Sequence, residues 1–183
     1  MRKNLGIKPC LYPEPVLIIG TYDEDGVPNA MNAAWGGIHN DDEIYICLSD
    51  DHKTVKNLLN RGAFTVSFGT VDTLDACDYV GIVSGNDVKD KFTKAGFTAM
   101  KSEFVDAPLI NELKMSIECV VKSYSNEELI GRIVNVSVDE DVMADGKVDI
   151  SKLRPIIYDG LNRDYIEFGK KVGKAFSDGN RLK

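Results

Sequence analysis

What most restricts the fold of this chain is its punctuation. Short runs of β-branched and aromatic residues alternate with tight-turn residues, a pattern that selects sheet over helix. Val16-Leu17-Ile18-Ile19-Gly20-Thr21-Tyr22 reads as a strand, and Asp25-Gly26 turns it into a second run, Val27 to Gly37. Asn40-Asp41-Asp42 makes another turn before Glu43 to Ser49, and Ala63 to Phe68 alternates cleanly. Met115 to Val121 and Ile130 to Val138 pair around Asn126-Glu127-Glu128. The first of these sets Met115, Ile117, Cys119 and Val121 on one face, the second Val134, Val136 and Val138. Hairpins join most of the runs, so the predicted sheet is antiparallel. A closed barrel is the economical way to remove its edges.

Short helices fit between the strands. Ser49-Asp50-Asp51 supplies capping residues for a helix over Lys53 to Arg61, with Val55, Leu58 and Leu59 on its apolar face and Gly62 at its end. Thr73 to Val83 and Val88 to Ala95 are further short helical candidates. Ser151 to Arg154 gives a helical turn stopped by Pro155. Phe168, Val172 and Phe176 share a helical spacing that predicts a C-terminal helix over Tyr165 to Phe176. At 183 residues, with no repeat or low-complexity linker, the expectation is one domain spanning 1–183.

Several function classes are disfavoured. The net charge is −7 with no dominant Lys/Arg run, so neither nucleic acid nor an anionic membrane is an expected partner. No apolar run reaches the roughly 20 residues of a membrane span. The start of the chain has no apolar signal core, and Cys10, Cys47, Cys77 and Cys119 form no C-x-x-C pair, so a reducing, cytoplasmic setting is expected. Cys47 and Cys119, in alternating runs, read as buried small hydrophobes. His39 and His52 lack ligand spacing, and no metal site is expected. There is no G-x-G-x-x-G after a strand and no P-loop. No nucleophile–base constellation can be argued with two histidines, so no catalytic side chain is assigned.

Three stretches carry binding chemistry. Val27 to Gly37 combines the small residues Ala33, Ala34, Gly36 and Gly37 with the amides of Asn29 and Asn32 and the only tryptophan, Trp35. Such a surface suits a flat, heteroatom-rich ring such as a flavin; the alternative is a Gly/Ala-rich strand with one core Trp. Leu48 to Thr54 runs a strand into a helix start, where free N–H groups, Lys53 and Thr54 could hold one phosphate; the alternative is an ordinary capped helix. Ser84 to Phe92 offers Lys91 and Phe92, or else a solvated charge run.

Taken together, Asn29-Ala30-Met31-Asn32-Ala33-Ala34-Trp35, Lys53-Thr54, Cys77-Asp78-Tyr79-Val80-Gly81 with Ser84-Gly85, Asp90-Lys91-Phe92, and Arg154-Pro155-Ile156-Ile157-Tyr158 with Tyr165 and Gly169 resemble the flavoredoxin and flavin reductase-like family from about Pro15 to Phe176. The resemblance implies a mainly β fold, an antiparallel Greek-key FMN-binding split barrel with short peripheral helices. It implies a homodimer holding FMN without a covalent bond. Asn29, Asn32 and Trp35 would contact the flavin, with backbone from Ala33 and Ala34. Ser49, Lys53 and Thr54 would lie along the ribityl-phosphate, Lys91 would reach flavin or phosphate, and Tyr158 and Tyr165 would lie near the flavin and the subunit boundary. The implied activity takes electrons from NADH or NADPH through FMN to a small-molecule or protein acceptor. The alternative is an FMN-binding electron carrier that does not turn over nicotinamide.

Overall fold

The computed structural model describes residues 1–183. A two-residue strand, Glu14–Pro15 (β1), ends the extended lead-in. Leu17–Tyr22 (β2) and Pro28–Ala33 (β3) form a hairpin whose turn is tied by Asp23, which accepts from the Asp25 and Val27 amides at 3.1 and 2.9 Å. Gly36–Asn40 (β4) and Glu43–Cys47 (β5) form the next hairpin. Lys53–Arg61 (α1) leads into Ala63–Phe68 (β6), and Leu74–Ile82 (α2) and Lys91–Lys94 (α3) follow. Ala99–Lys101 (β7) pairs with Pro108–Ile110 (β8). Met115–Ser125 (β9) and Glu128–Val138 (β10) make the longest hairpin, turning at Asn126 and Glu127, both at positive φ. Met143–Ala144 (β11) and Lys147–Val148 (β12) form a small ladder before Ile150–Leu153 (α4). Ile156–Asp159 (β13) and Asp164–Glu167 (β14) join β1 in a separate three-stranded sheet.

The main sheet has seven strands in the order β3-β2-β6-β9-β10-β5-β4, every pair antiparallel. Its two edge strands, β3 and β4, are consecutive in the chain and separated only by Ala34 and Trp35. Three Cα steps span at most about 11 Å, so the sheet has to curl until its edges come close. No ladder joins those edges. The barrel is therefore split, as the family resemblance implies, where strand patterning alone pointed to a closed one. The chain itself crosses the gap where a closing ladder would lie, and β3 keeps one edge of its backbone free.

Two apolar clusters sit on opposite faces of the curled sheet. Leu17, Ile19, Ile44, Ile46, Phe64, Val66, Ile117 and Cys119 fill the concave side, with Val55 and Leu58 of α1 over its end. Val16, Ile18, Ala30, Cys77, Val80, Phe92 and Ile156 fill the other, under α2, α3 and β13. β2 is covered on both faces, which is why its sequence is a continuous apolar run.

Three local expectations need correction. Leu59 is exposed, and Asn57 takes the buried place on α1, donating to Thr21 at 3.1 Å. Cys47 is only half-buried, whereas Cys119 is fully buried. The alternation expected in β10 holds, with Val134 and Val136 on the outer face while Asn135 reaches the buried Glu118 at 2.6 Å. The predicted C-terminal helix is absent. Tyr165 lies in β14, paired with Tyr158, and the tail beyond Glu167 is irregular up to a 3-10 turn at Asp178–Leu182. Gly169 and Gly173 disfavour a helix there. Val172 and Phe176 are fully exposed, so no surface stabilises one.

Candidate functional site

A cleft of about 190 Å³ opens between the free edge of β3, the start of α1, the end of α2 and the loop after it. It is lined by Asn29, Asn32, Lys53, Thr54, Gly85 and Lys91, among others. A larger hollow, about 1160 Å³, lies beneath the irregular tail from Glu167 to Asp178. It owes its size to an extended, exposed segment and contains no orphaned buried polar atom, so the chemistry is assigned to the smaller cleft.

The helix start in the cleft is open. Its N-cap is His52, and no side chain caps it; the expected capping by Ser49, Asp50 or Asp51 does not occur. The free backbone N–H groups of the first turn point out of the helix end, where the dipole favours an anion. Thr54 is buried, and its Oγ1 accepts from Asn29 Nδ2 at 2.9 Å, which ties β3 to α1. Lys53 is partly covered and pairs with Asp23 at 3.0 Å, so its charge is already shared. Gly85 presses its backbone onto this pair: a Cβ there would stand 2.4 Å from Asn29 Oδ1 and 3.2 Å from Lys53 Cδ.

Two polar groups in the cleft lack partners. His52 Nδ1 is buried without a hydrogen bond. Lys91 is 4% exposed, makes no ion pair, and burial pulls its pKa down from 10.5 to about 8. A buried ammonium with no counter-ion is unfavourable unless something negative joins it. The wall of the cleft thus carries an uncapped helix end and an unmatched cation, an arrangement suited to a phosphate.

The structure brings Asn29, Asn32, Lys53, Thr54 and Lys91 to one cleft. Ala33 ends the same edge strand and Ala34 and Trp35 follow it toward β4, all three outside the lining. Ala33 is buried in the concave core, and Trp35 is 57% exposed, which overturns the core-Trp alternative. Ser49 lies outside the lining, three residues before the N-cap. Tyr158 also lies outside and packs its ring 6.0 Å from that of Tyr165. Tyr165 stands behind the cleft, 3.5 Å from Asn32 Nδ2. Gly85 and His52 are among the lining residues to which the sequence assigned no site role. For Gly85 the signal was present in Ser84-Gly85 but needed Asn29 as its neighbour to be meaningful.

A half-barrel with a phosphate-ready helix end beside a free strand edge defines a class of small-molecule binding fold, and comparison places this chain within it. The model of the flavin reductase-like domain family matches residues 10–161, and the chain belongs to that family. Flavoredoxin of Desulfovibrio vulgaris (Miyazaki F) superimposes with a TM-score of 0.94 at 39% identity, over 98% of this chain and 100% of that one. Flavoredoxin from Methanosarcina acetivorans superimposes at 0.89 with 25% identity over the full length of both. Nitrilotriacetate monooxygenase component B from Bacillus cereus shares the fold, with a TM-score of 0.80 at 20% identity over 95% of this chain and 100% of that one.

Proposed function

We propose that the protein binds FMN and serves as an oxidoreductase that moves electrons from NADH or NADPH to a small-molecule or protein acceptor. The observation that carries the FMN reading is Lys91, buried and unpaired beside the uncapped end of α1. FMN has one phosphate, and this cleft offers one anion site. The residues fit the cofactor: Lys91, which makes no ion pair, and the orphaned His52 Nδ1 gain a partner, and the glycine at 85 leaves room for the Asn29–Thr54 bridge. Similarity to two flavoredoxins supports the same reading.

Bound FMN would supply the electron-accepting and electron-donating chemistry. The chain's part is to bind and orient it. Lys91, the α1 N–H groups and Thr54 hold the phosphate end, with Lys53 adding a shared charge. The free edge of β3, from Asn29 to Ala33, and the following Ala34 offer backbone donors and acceptors to the ring, and Trp35 an exposed aromatic face. At about 190 Å³ the cleft is smaller than the roughly 300–1,000 Å³ of sites that enclose a whole ligand of this kind. The remainder lies over the open surface by Trp35, and a second copy of the chain is the cover we assign to it. Four free cysteines accord with a reducing, cytoplasmic setting, and no helix is long and apolar enough to cross a membrane.

The test is an absorption spectrum of the FMN-loaded protein, without oxygen, before and after each nicotinamide. Bleaching of the flavin band by NADH or NADPH is expected. A bound flavin that neither nicotinamide bleaches would make the protein an electron carrier instead.

A further inference from the structure

Asn32 is gripped from behind. Its Nδ2 lies 3.1 Å from the carbonyl oxygen of Cys77 on α2 and 3.5 Å from the Tyr165 hydroxyl on β14. That hydroxyl donates to Asp78 Oδ1 at 2.8 Å, so its proton is committed and its oxygen is left to accept. Burial and the neighbouring carboxylate push the Tyr165 pKa up, which keeps the proton in place. Both acceptors therefore face the amide's NH₂ end. Turning the amide over would set its oxygen against the Cys77 carbonyl, two acceptors at hydrogen-bond distance. Gly81 lets α2 close on this side chain, since a Cβ there would stand 3.1 Å from Asn32 Cβ.

The opposite end, Oδ1, has no donor in the protein, and Asn32 lines the cleft. A fixed acceptor in a ligand site calls for a donor on the ligand. Oxidised isoalloxazine has one ring N–H, at N3; its other ring-edge heteroatoms accept. We propose that Asn32 Oδ1 accepts from the flavin N3–H, with Asp78 and Tyr165 as positioning residues that aim the amide. The inference rests on the FMN reading and goes beyond it, because it states which edge of the ring is read and by which atom. It also gives Tyr165 a role behind the cleft in place of direct flavin contact.

The test compares the affinities of FMN and of FMN methylated at N3, which lacks that donor. The wild-type protein is expected to prefer FMN by about two- to twelvefold, the range for one neutral hydrogen bond. Asn32→Leu should bring the ratio close to one. Tyr165→Phe should lower it part of the way, because the amide is then held by the Cys77 carbonyl alone, and Asp78→Ala should do the same, because the freed Tyr165 proton no longer forces the hydroxyl to accept. If Tyr165→Phe and Asp78→Ala weaken both ligands equally and leave the ratio untouched, they are merely structural and the positioning claim is overturned. Tight FMN binding with no wild-type preference overturns the N3 assignment while leaving FMN as cofactor. Binding of neither ligand overturns both.

Discussion

An ammonium withdrawn from water without a counter-ion weakens the fold that buries it, and Lys91 is placed that way. Its folded-state pKa of about 8 lies below the ordinary 10.5. The unfolded chain therefore holds this proton more tightly, and stability of the ligand-free protein should rise as pH climbs from about 8 toward 10.5. Denaturant unfolding of wild type against Lys91→Met isolates the effect. The variant should be the more stable near neutrality, and the gap should shrink at alkaline pH. Ligand affinity runs the opposite way. FMN should bind best between about pH 6.5 and 8, with both phosphate charges and the Lys91 proton present, and should weaken above pH 8, whereas riboflavin should not. At pH 7, Lys91→Met removes a charge-assisted bond of about 1.5–3 kcal/mol, roughly ten- to a hundredfold in FMN affinity. Lys53→Ala should cost less, since Asp23 already shares that charge at 3.0 Å. Lys53, Thr54 and Lys91 were legible in the sequence as a possible anion site. That Lys91 is the unpaired one was not, because pairing depends on what the fold places beside each lysine.

At the scale of elements, what was readable was local. Val55, Leu58 and Gly62 mark α1 through periodicity and a left-handed cap, and the helix runs over Lys53–Arg61 as expected. The Asp25-Gly26 hairpin was equally plain, since its turn chemistry lies within four residues. The missing C-terminal helix shows the limit of such patterns: Phe168, Val172 and Phe176 have helical spacing but no surface to pack on. Split edges were legible only through the family resemblance; strand patterning alone pointed to closure, because edge pairing depends on which strands meet across the whole chain. The loop after α2 belongs here too. Gly85→Ala would force a Cβ to within 2.4 Å of Asn29 Oδ1 and push apart the Asn29–Thr54 bridge. Overpacking of this kind costs about 1–3 kcal/mol. A lower thermal midpoint and a loss of FMN affinity are both expected, and calorimetry beside a flavin titration reads them. A full-strength site in Gly85→Ala would mean that the loop does not form its wall.

On the scale of the whole molecule, the proposed second copy would have apolar side chains to cover. Trp35, Val134, Val136, Val172 and Phe176 are all exposed. A homodimer burying well over about 1,000 Å² would cover such a surface and close the open side of the cleft. Sedimentation equilibrium at micromolar concentration should report twice the 20.2 kDa chain mass, and removal of the tail after Phe168 should shift the balance toward monomer. A monomer at that concentration would leave the cleft open and remove the assigned cover. The anion site itself can be judged without the dimer. The most direct measurement is a titration of the flavin-free protein at pH 7 with FMN, riboflavin and FAD, followed by flavin absorbance. FMN should bind tightly, with riboflavin weaker by roughly tenfold or more for want of the phosphate bond. Riboflavin binding as tightly as FMN, FAD binding much more tightly, or a protein that stays colourless with all three would contradict the account.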